Sequence, residues 1–291
     1  MVVPPEMPGF PMWQLNPWDL VLVALGVVNE LGVRRLAQRQ GATSRRATRR
    51  RSWCYYAGLV LLGLVISGPL EHWGMVWLSV HMVGHVAEMF YLPVLLVVGG
   101  PRVPALFALG VDRRRQVLRW YYRSASGAPV RATVAVLTTP WVAIVAFNAT
   151  MVLWHLPAVF NAAMWHPWID TWVMTPSFLV TGVLFWRLLL GSHPSPPRAT
   201  TQLQLVAIAV TAMEMLVVAM ALSVLSHGAW YSMNLAMLGP IDALRDQHLA
   251  AGILWICGDL WAVPALVLIA RRVVDERGSV SMALEHALGR A

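Results

Sequence analysis

His81-Met82-Val83-Gly84-His85-Val86-Ala87-Glu88 lies inside an apolar run, residues 74–98, long enough to cross a bilayer. His81, His85 and Glu88 are four and then three residues apart, so on a helix they share one face. Ionisable groups are costly in hydrocarbon and ordinarily face a protein interior or a wet cavity. The stretch therefore reads as a membrane-spanning helix with its polar stripe turned toward other helices. Two imidazoles and a carboxylate, with the thioethers of Met82 and Met89 beside them, are a candidate metal site. The same groups would also serve as hydrogen-bonding groups between packed helices.

The rest of the chain supports the membrane reading. Of its 291 residues, 58% are hydrophobic and only 12% charged, far from the balance of a soluble domain. Its 15 tryptophans suit interfacial belts. The net charge of +8 comes entirely from Arg placed between apolar spans, which argues for membrane orientation and against nucleic acid as a partner. Without a Lys, Schiff-base chemistry is excluded. Cys54 and Cys257 form no Cys-x-x-Cys pair, and no disulfide between them is expected. Met1 to Phe10 carries no basic stretch and no small-residue cleavage motif follows the first apolar span, so no removable signal peptide is expected.

An all-α, polytopic bundle of seven transmembrane helices is predicted, one membrane domain over residues 1–291, with spans near 15–33, 53–70, 74–98, 132–153, 172–191, 203–226 and 247–270. Arg34 to Arg51 holds eight Arg and Gly99 to Arg131 holds seven; with Arg187, Arg198, Arg271, Arg272, Arg277 and Arg290, twenty-one fall on one side, and only Arg245 on the other. The positive-inside rule then puts the N-terminus outside and the C-terminus in the cytoplasm, with the chain multi-pass in its membrane. The apolar run Ala105 to Val111 suggests a small interfacial helix, and Arg113-Arg114-Arg115 beside it could meet anionic membrane lipid.

On this topology seven of the nine histidines collect toward the outer side: His72, His81, His85, His155, His166, His227 and His248, leaving only His193 and His286 inside. Asn148, Met151 and His155 share one helical face, and His248 and Asp259 share another. Imidazole with thioether, lacking thiolate pairs, suits copper as Cu(I) better than Zn, Mg or Ca. Glu88, Glu214 and Asp259 fall at similar depth and could form a polar network.

The motifs His81-Met82-x-x-His85, Trp154-His155-Leu156-Pro157, Phe178-Leu179-x-x-Gly182-x-Leu184-Phe185-Trp186 and Asp246-Gln247-x-Leu249-Ala250-x-Gly252 together resemble the CtaG family of multispanning cytochrome c oxidase assembly factors. The resemblance implies a role in supplying copper to a haem-copper oxidase subunit, its partner, with His81, His85, His155 and the pair Asp246-Gln247 at the family's polar positions. Family members commonly carry Gln where this chain has Gly84, and many carry His in the stretch that here reads Met174-Thr175-Pro176-Ser177.

The expected ligands are His81 and His85, with His155 or His248 closing the site and Met82, Met89 and Met151 as soft auxiliaries. Glu88, Asn148, Glu214, Asp246, Gln247 and Asp259 form the surrounding polar shell. No nucleophile motif stands out, so a carrier and not an enzyme is expected. A copper or other solute transporter is the alternative that the mid-membrane carboxylates favour. A haem-binding redox protein is a third, with His85 and a histidine from another helix as axial ligands. No sequence feature fixes an oligomeric state.

Overall fold

The computed structural model describes residues 13–197 and 199–277, without the side chains of residues 233, 257–259 and 275–277. The expectations for Met1 to Phe10, Arg198, His286 and Arg290, and for the side chains of Cys257, Asp259 and Arg277, lie outside the described residues. The described chain is helical throughout, apart from connections and one isolated bridge between Ser192 and Ser195.

The first helix, α1 (Pro17–Ala37), starts at a capping box: Asn16 accepts from the Trp18 N–H, and Asp19 accepts from the Asn16 N–H. It is followed by α2 (Ala42–Ile66) and the short α3 (Pro69–Gly74). The histidine-bearing run is α4 (Leu78–Val86), a π-helical turn (Ala87–Tyr91) and α5 (Leu92–Gly99). Then come α6 (Arg102–Ala108), α7 (Val111–Arg123), α8 (Ala128–Leu137), α9 (Pro140–His155) and α10 (Pro157–Trp165). A second π turn (Asp170–Met174) separates α11 (Pro167–Ile169) from α12 (Thr175–Leu190). The chain ends with α13 (Thr201–Ser223), α14 (Ser232–Leu238), α15 (Pro240–Leu260) and α16 (Ala262–Arg277). Proline opens α1, α3, α9, α10, α11 and α15, where its missing N–H costs nothing.

Four helical runs among the described residues are long and apolar enough to cross a membrane: Ala42–Gly74, Leu78–Gly99, Pro167–Leu190 and Thr201–Ser223. They correspond, within a few residues at the ends, to the expected crossings at 53–70, 74–98, 172–191 and 203–226. The expected span 132–153 is instead α8 plus α9, bent by 71°, and makes a fifth crossing only if the pair counts as one. The break has a local cause. Pro140 has no N–H to continue the ladder, and the hydroxyls of Thr138 and Thr139 donate back to the carbonyls of Val134 and Ala135. The remaining two expected spans do not pass. In α1, Asp19, Glu30, Arg34 and Arg35 leave no long stretch free of charge. The run 247–270 is divided at Trp261, and α15 carries Asp242, Arg245 and Asp246. The helices thus number four or five against the seven expected. The run Ala105 to Val111 is also different: α6 covers Arg102–Ala108 and packs on α1, with Gly32 directly against the Pro104 carbonyl.

The largest buried cluster joins α4, α9, α12, α13, α15 and α16 through Phe147, Phe178, Phe185, Trp186 and Trp261. Phe147 stacks on Phe185 at 4.4 Å, and Phe90 on Trp261 at 4.9 Å. Close approach of backbones requires small residues where α12 meets the first π turn. A Cβ on Gly182 would stand 2.6 Å from Pro93 Cγ and 2.9 Å from the Met89 carbonyl oxygen, whereas one on Gly252 would meet nothing within 4 Å. Gly182→Ala is therefore expected to cost about 1–3 kcal/mol through overpacking. Gly252→Ala should be neutral or slightly stabilising. Thermal unfolding of the detergent-solubilised variants checks this; equal midpoints for both would refute the tight contact.

Candidate functional site

Three elements bring the imidazoles together. The first turn of α4 is anchored from outside: Asp246 of α15 accepts the Ser79 hydroxyl at 2.5 Å and the Ser79 N–H at 3.3 Å. A carboxylate there satisfies free N–H groups and meets the positive end of the helix. One turn apart on α4, the rings of His81 and His85 are 4.3 Å centre to centre. His155 ends α9, because Leu156 before Pro157 is extended. The Tyr231 hydroxyl fixes that end by donating to the His155 carbonyl at 3.0 Å. The His155 ring then lies 5.6 Å from that of His85. Phe160 packs 5.1 Å from His81, and Phe178 packs 4.9 Å from His85.

Hydrogen bonding leaves this cluster with spare lone pairs. His155 Nδ1 is 2.7 Å from the Met151 carbonyl, which can only accept, so the proton sits on Nδ1 and the Nε2 of the neutral ring holds a free lone pair. That Nε2, both nitrogens of His85 and the Nε2 of His81 are buried without a hydrogen-bond partner. His85 is only 2% exposed. An unmet buried polar atom costs about 1–3 kcal/mol, so a cluster of them marks a place kept for a ligand or for an exchangeable water. As the rings stand, no group of three or more His, Cys, Asp or Glu side chains among the described residues is arranged to hold a metal ion. The donor types fit a soft ion, and closing around one calls for rotation of the rings.

Beside His81 and His85 lies a cavity of about 20 Å³, room for roughly one water. Its other polar walls are Glu88, Glu71, Asp170 and Thr175. The Thr175 hydroxyl donates to Glu88 at 3.0 Å. Gly84 also lines the space. Both π turns serve this cavity. Pro93 and Pro176 each follow a π turn by two residues; a proline withholds its N–H and crowds the carbonyl four residues back, which favours a widened turn. The widened turns carry Glu88 and Asp170. Glu71 and Asp170 escaped the sequence reading. Asp170, an acidic residue within the apolar run 168–190, carried a signal that could have found it.

The other expected site residues have different places. His248 is exposed: the buried stripe of α15 is Ala243, Asp246, Gln247, Ala250, Ala251 and Leu254, which excludes it. His166 and His227 are also exposed, and His72 stacks edge-on against Trp73. Of the seven histidines expected to gather, the structure brings together three. Asp246 and Gln247 act as clamps. Gln247 accepts from the Trp230 N–H at 2.7 Å and donates to the Leu222 carbonyl at 3.0 Å, tying the end of α13 to the segment before α14. Asn148 donates within its own helix to Ile144. Glu214 is half-buried with both oxygens unpartnered, and does not line the cavity that holds Glu88. Met82, Met89, Met151 and Met174 are buried in the main core cluster.

Comparison with known proteins places these features. The chain is 30% identical over 94% of its length to uncharacterized proteins of Mycobacterium bovis and Mycobacterium tuberculosis, covering 42% of each. It is 27% identical over 74% of its length to an uncharacterized protein of Mycobacterium leprae, covering 32% of it. The chain thus spans less than half the length of these curated relatives. No solved structure matches it. The family model for the cytochrome c oxidase caa3 assembly factor (Caa3_CtaG) matches residues 30–276, from α1 to the last turn of α16 and including every imidazole of the cluster, and the chain belongs to that family.

Proposed function

We propose that this protein carries copper, as Cu(I), to a haem-copper oxidase subunit from the outer side of the bacterial plasma membrane. The observation that supports this reading is the convergence of His81, His85 and His155, from two separate helices, with ring nitrogens that are buried and unpartnered. Copper is then cargo, and no covalent step is required. His81 and His85 supply one pair of donors, and His155 Nε2 joins them from α9. Met82, Met89 and Met151 are soft auxiliary ligands within this proposal, suited to Cu(I) by their polarisable sulfur. Glu71, Glu88 and Asp170 line the space beside the imidazoles and offer oxygen donors there.

The size of the space favours an ion over a porphyrin. A cavity of about 20 Å³ admits a water-sized occupant, whereas organic cofactors occupy pockets of some hundreds of Å³. The transporter reading gains less, since Glu214 stands apart from the cluster.

Copper content of the purified protein, measured by mass spectrometry, tests the assignment. His81→Ala and His85→Ala should each lower copper affinity at least tenfold, roughly 1.4 kcal/mol or more, and His248→Ala should leave it unchanged. Full copper binding in both of the first two variants refutes the site. In a strain lacking the protein, oxidase copper content should drop while oxidase polypeptide persists; fully metallated oxidase would count against delivery.

Asp246→Asn removes the charge from the anchor on α4 while keeping its shape. It should lower stability by about 1–3 kcal/mol and weaken copper binding, because the first turn of α4 aims His81. A lowered unfolding midpoint with unaltered copper affinity would separate the anchor from the site.

A further inference from the structure

A different cleft lies at the other end of the bundle. The run Leu78–Gly99 separates the two places: from His81 near its start to Gly99 at its end is about 27 Å of helix, and Arg102 follows just after. The cleft has a volume of about 340 Å³ and sits between α6, α8, the end of α12 and the following loop. Arg102, Arg131 and Arg187 line it, and no Asp or Glu does. The hydroxyl-bearing residues Tyr121, Tyr122 and Thr138 are also in the lining.

Two of these guanidinium groups are held in place by backbone carbonyls. Arg102 donates to the Ser192 carbonyl at 2.7 Å. The loop that presents this carbonyl is itself closed by paired backbone bonds between Ser192 and Ser195, at 2.9 and 2.8 Å. Gly191, with φ of +74°, makes the sharp exit from α12 that the loop needs. Arg131 donates to the carbonyls of Tyr121 and Ser124. A guanidinium has five N–H donors, so both groups keep donors to offer while their position is fixed. Fixed, forked cations are suited to bidentate recognition of phosphate oxygens.

Apolar side chains lie among the arginines in the lining: Val134 one turn from Arg131 on α8, Pro140 at the α8–α9 break, and Leu184 and Leu188 beside Arg187 on α12. Free phosphate has no use for such side chains, but an acyl chain does. The cleft also stands at the C-terminal end of the membrane-crossing run Pro167–Leu190, the depth at which headgroups lie. We propose that this cleft binds an anionic phospholipid, with the phosphate on Arg102, Arg131 and Arg187 and the first carbons of a chain against Leu184 and Val134. Basic pockets between helices at a membrane face have the chemistry for such headgroups.

Native mass spectrometry of the full chain tests this, using dioctanoyl phosphatidylglycerol, dioctanoyl phosphatidylcholine and inorganic phosphate as probes. Phosphatidylglycerol should bind at least tenfold more tightly than phosphatidylcholine. Arg131→Gln should remove most of that preference. Since Arg131 also holds two carbonyls, Val134→Glu provides a second variant: it places an anion in the lining at an exposed position whose side chain makes no hydrogen bond, and should lower phosphatidylglycerol binding at least tenfold. Equal binding of the two lipids, or binding untouched by both substitutions, overturns the proposal. Displacement of phosphatidylglycerol by inorganic phosphate at equal concentration overturns the assignment to lipid.

Discussion

Asp246 and Ser79 are 167 positions apart in sequence and meet at the first turn of α4. A helix that begins inside a protein has N–H groups with nowhere to go, and Trp77 before it offers no side-chain cap. The carboxylate of α15 takes over that role. It fixes where α4 starts and so where His81 and His85 point. Gln247, next in sequence, clamps the far end of α13, and Tyr231 holds the end of α9 by the carbonyl of His155. The imidazoles are therefore positioned by hydrogen bonds between helices, and the aromatic rings of Phe160 and Phe178 fill the remaining space. The His85 ring and the Nε2 atoms of His81 and His155 are left without partners, while the polar groups around them bond to backbone and to one another.

Much of this was legible in the sequence, for a plain reason. The spacing of His81, His85 and Glu88 is a helical property and survives any arrangement of the bundle. His155 could be placed because Pro157 dictates where α9 ends. The mistakes share a different cause. His248 was assigned to the site from its spacing to Asp259, but α15 buries the stripe through Asp246 and Gln247, and a shift of one residue turns a side chain by about 100° around the axis. Periodicity gives the stripe and leaves open which stripe faces inward. Glu71 belongs to a short helix opened by Pro69 and was hidden in a presumed loop. Among the described residues, expected spans fall short of a crossing where hydropathy hides a Thr-Thr-Pro break and where charged residues lie at the ends of apolar runs.

The two π turns show how local strain and site chemistry coincide. Pro93 and Pro176 are unfavourable inside regular helices, and each follows a widened turn that carries an acidic residue. Glu88 keeps the stripe of His81 and His85, and together with Asp170, from a helix far away in sequence, it faces one small cavity that Thr175 also lines. A carboxylate held in an apolar bundle is a cost that packing alone has no reason to incur.

The molecule is polar at both ends in opposite senses. One end gathers imidazoles and carboxylates in a space for a single small occupant. The other gathers guanidinium groups around a wider cleft with apolar side chains in its lining. The first arrangement is the one that the proposed carriage of a cation would use: neutral imidazoles with unpartnered nitrogens beside a space for one small occupant. Cations would be repelled by the second arrangement, whose fixed forks and apolar side chains suit an anion that stays attached to the membrane. The run Leu78–Gly99 lies between the two, so the arginines stand at one end of it and the imidazoles of α4 near the other.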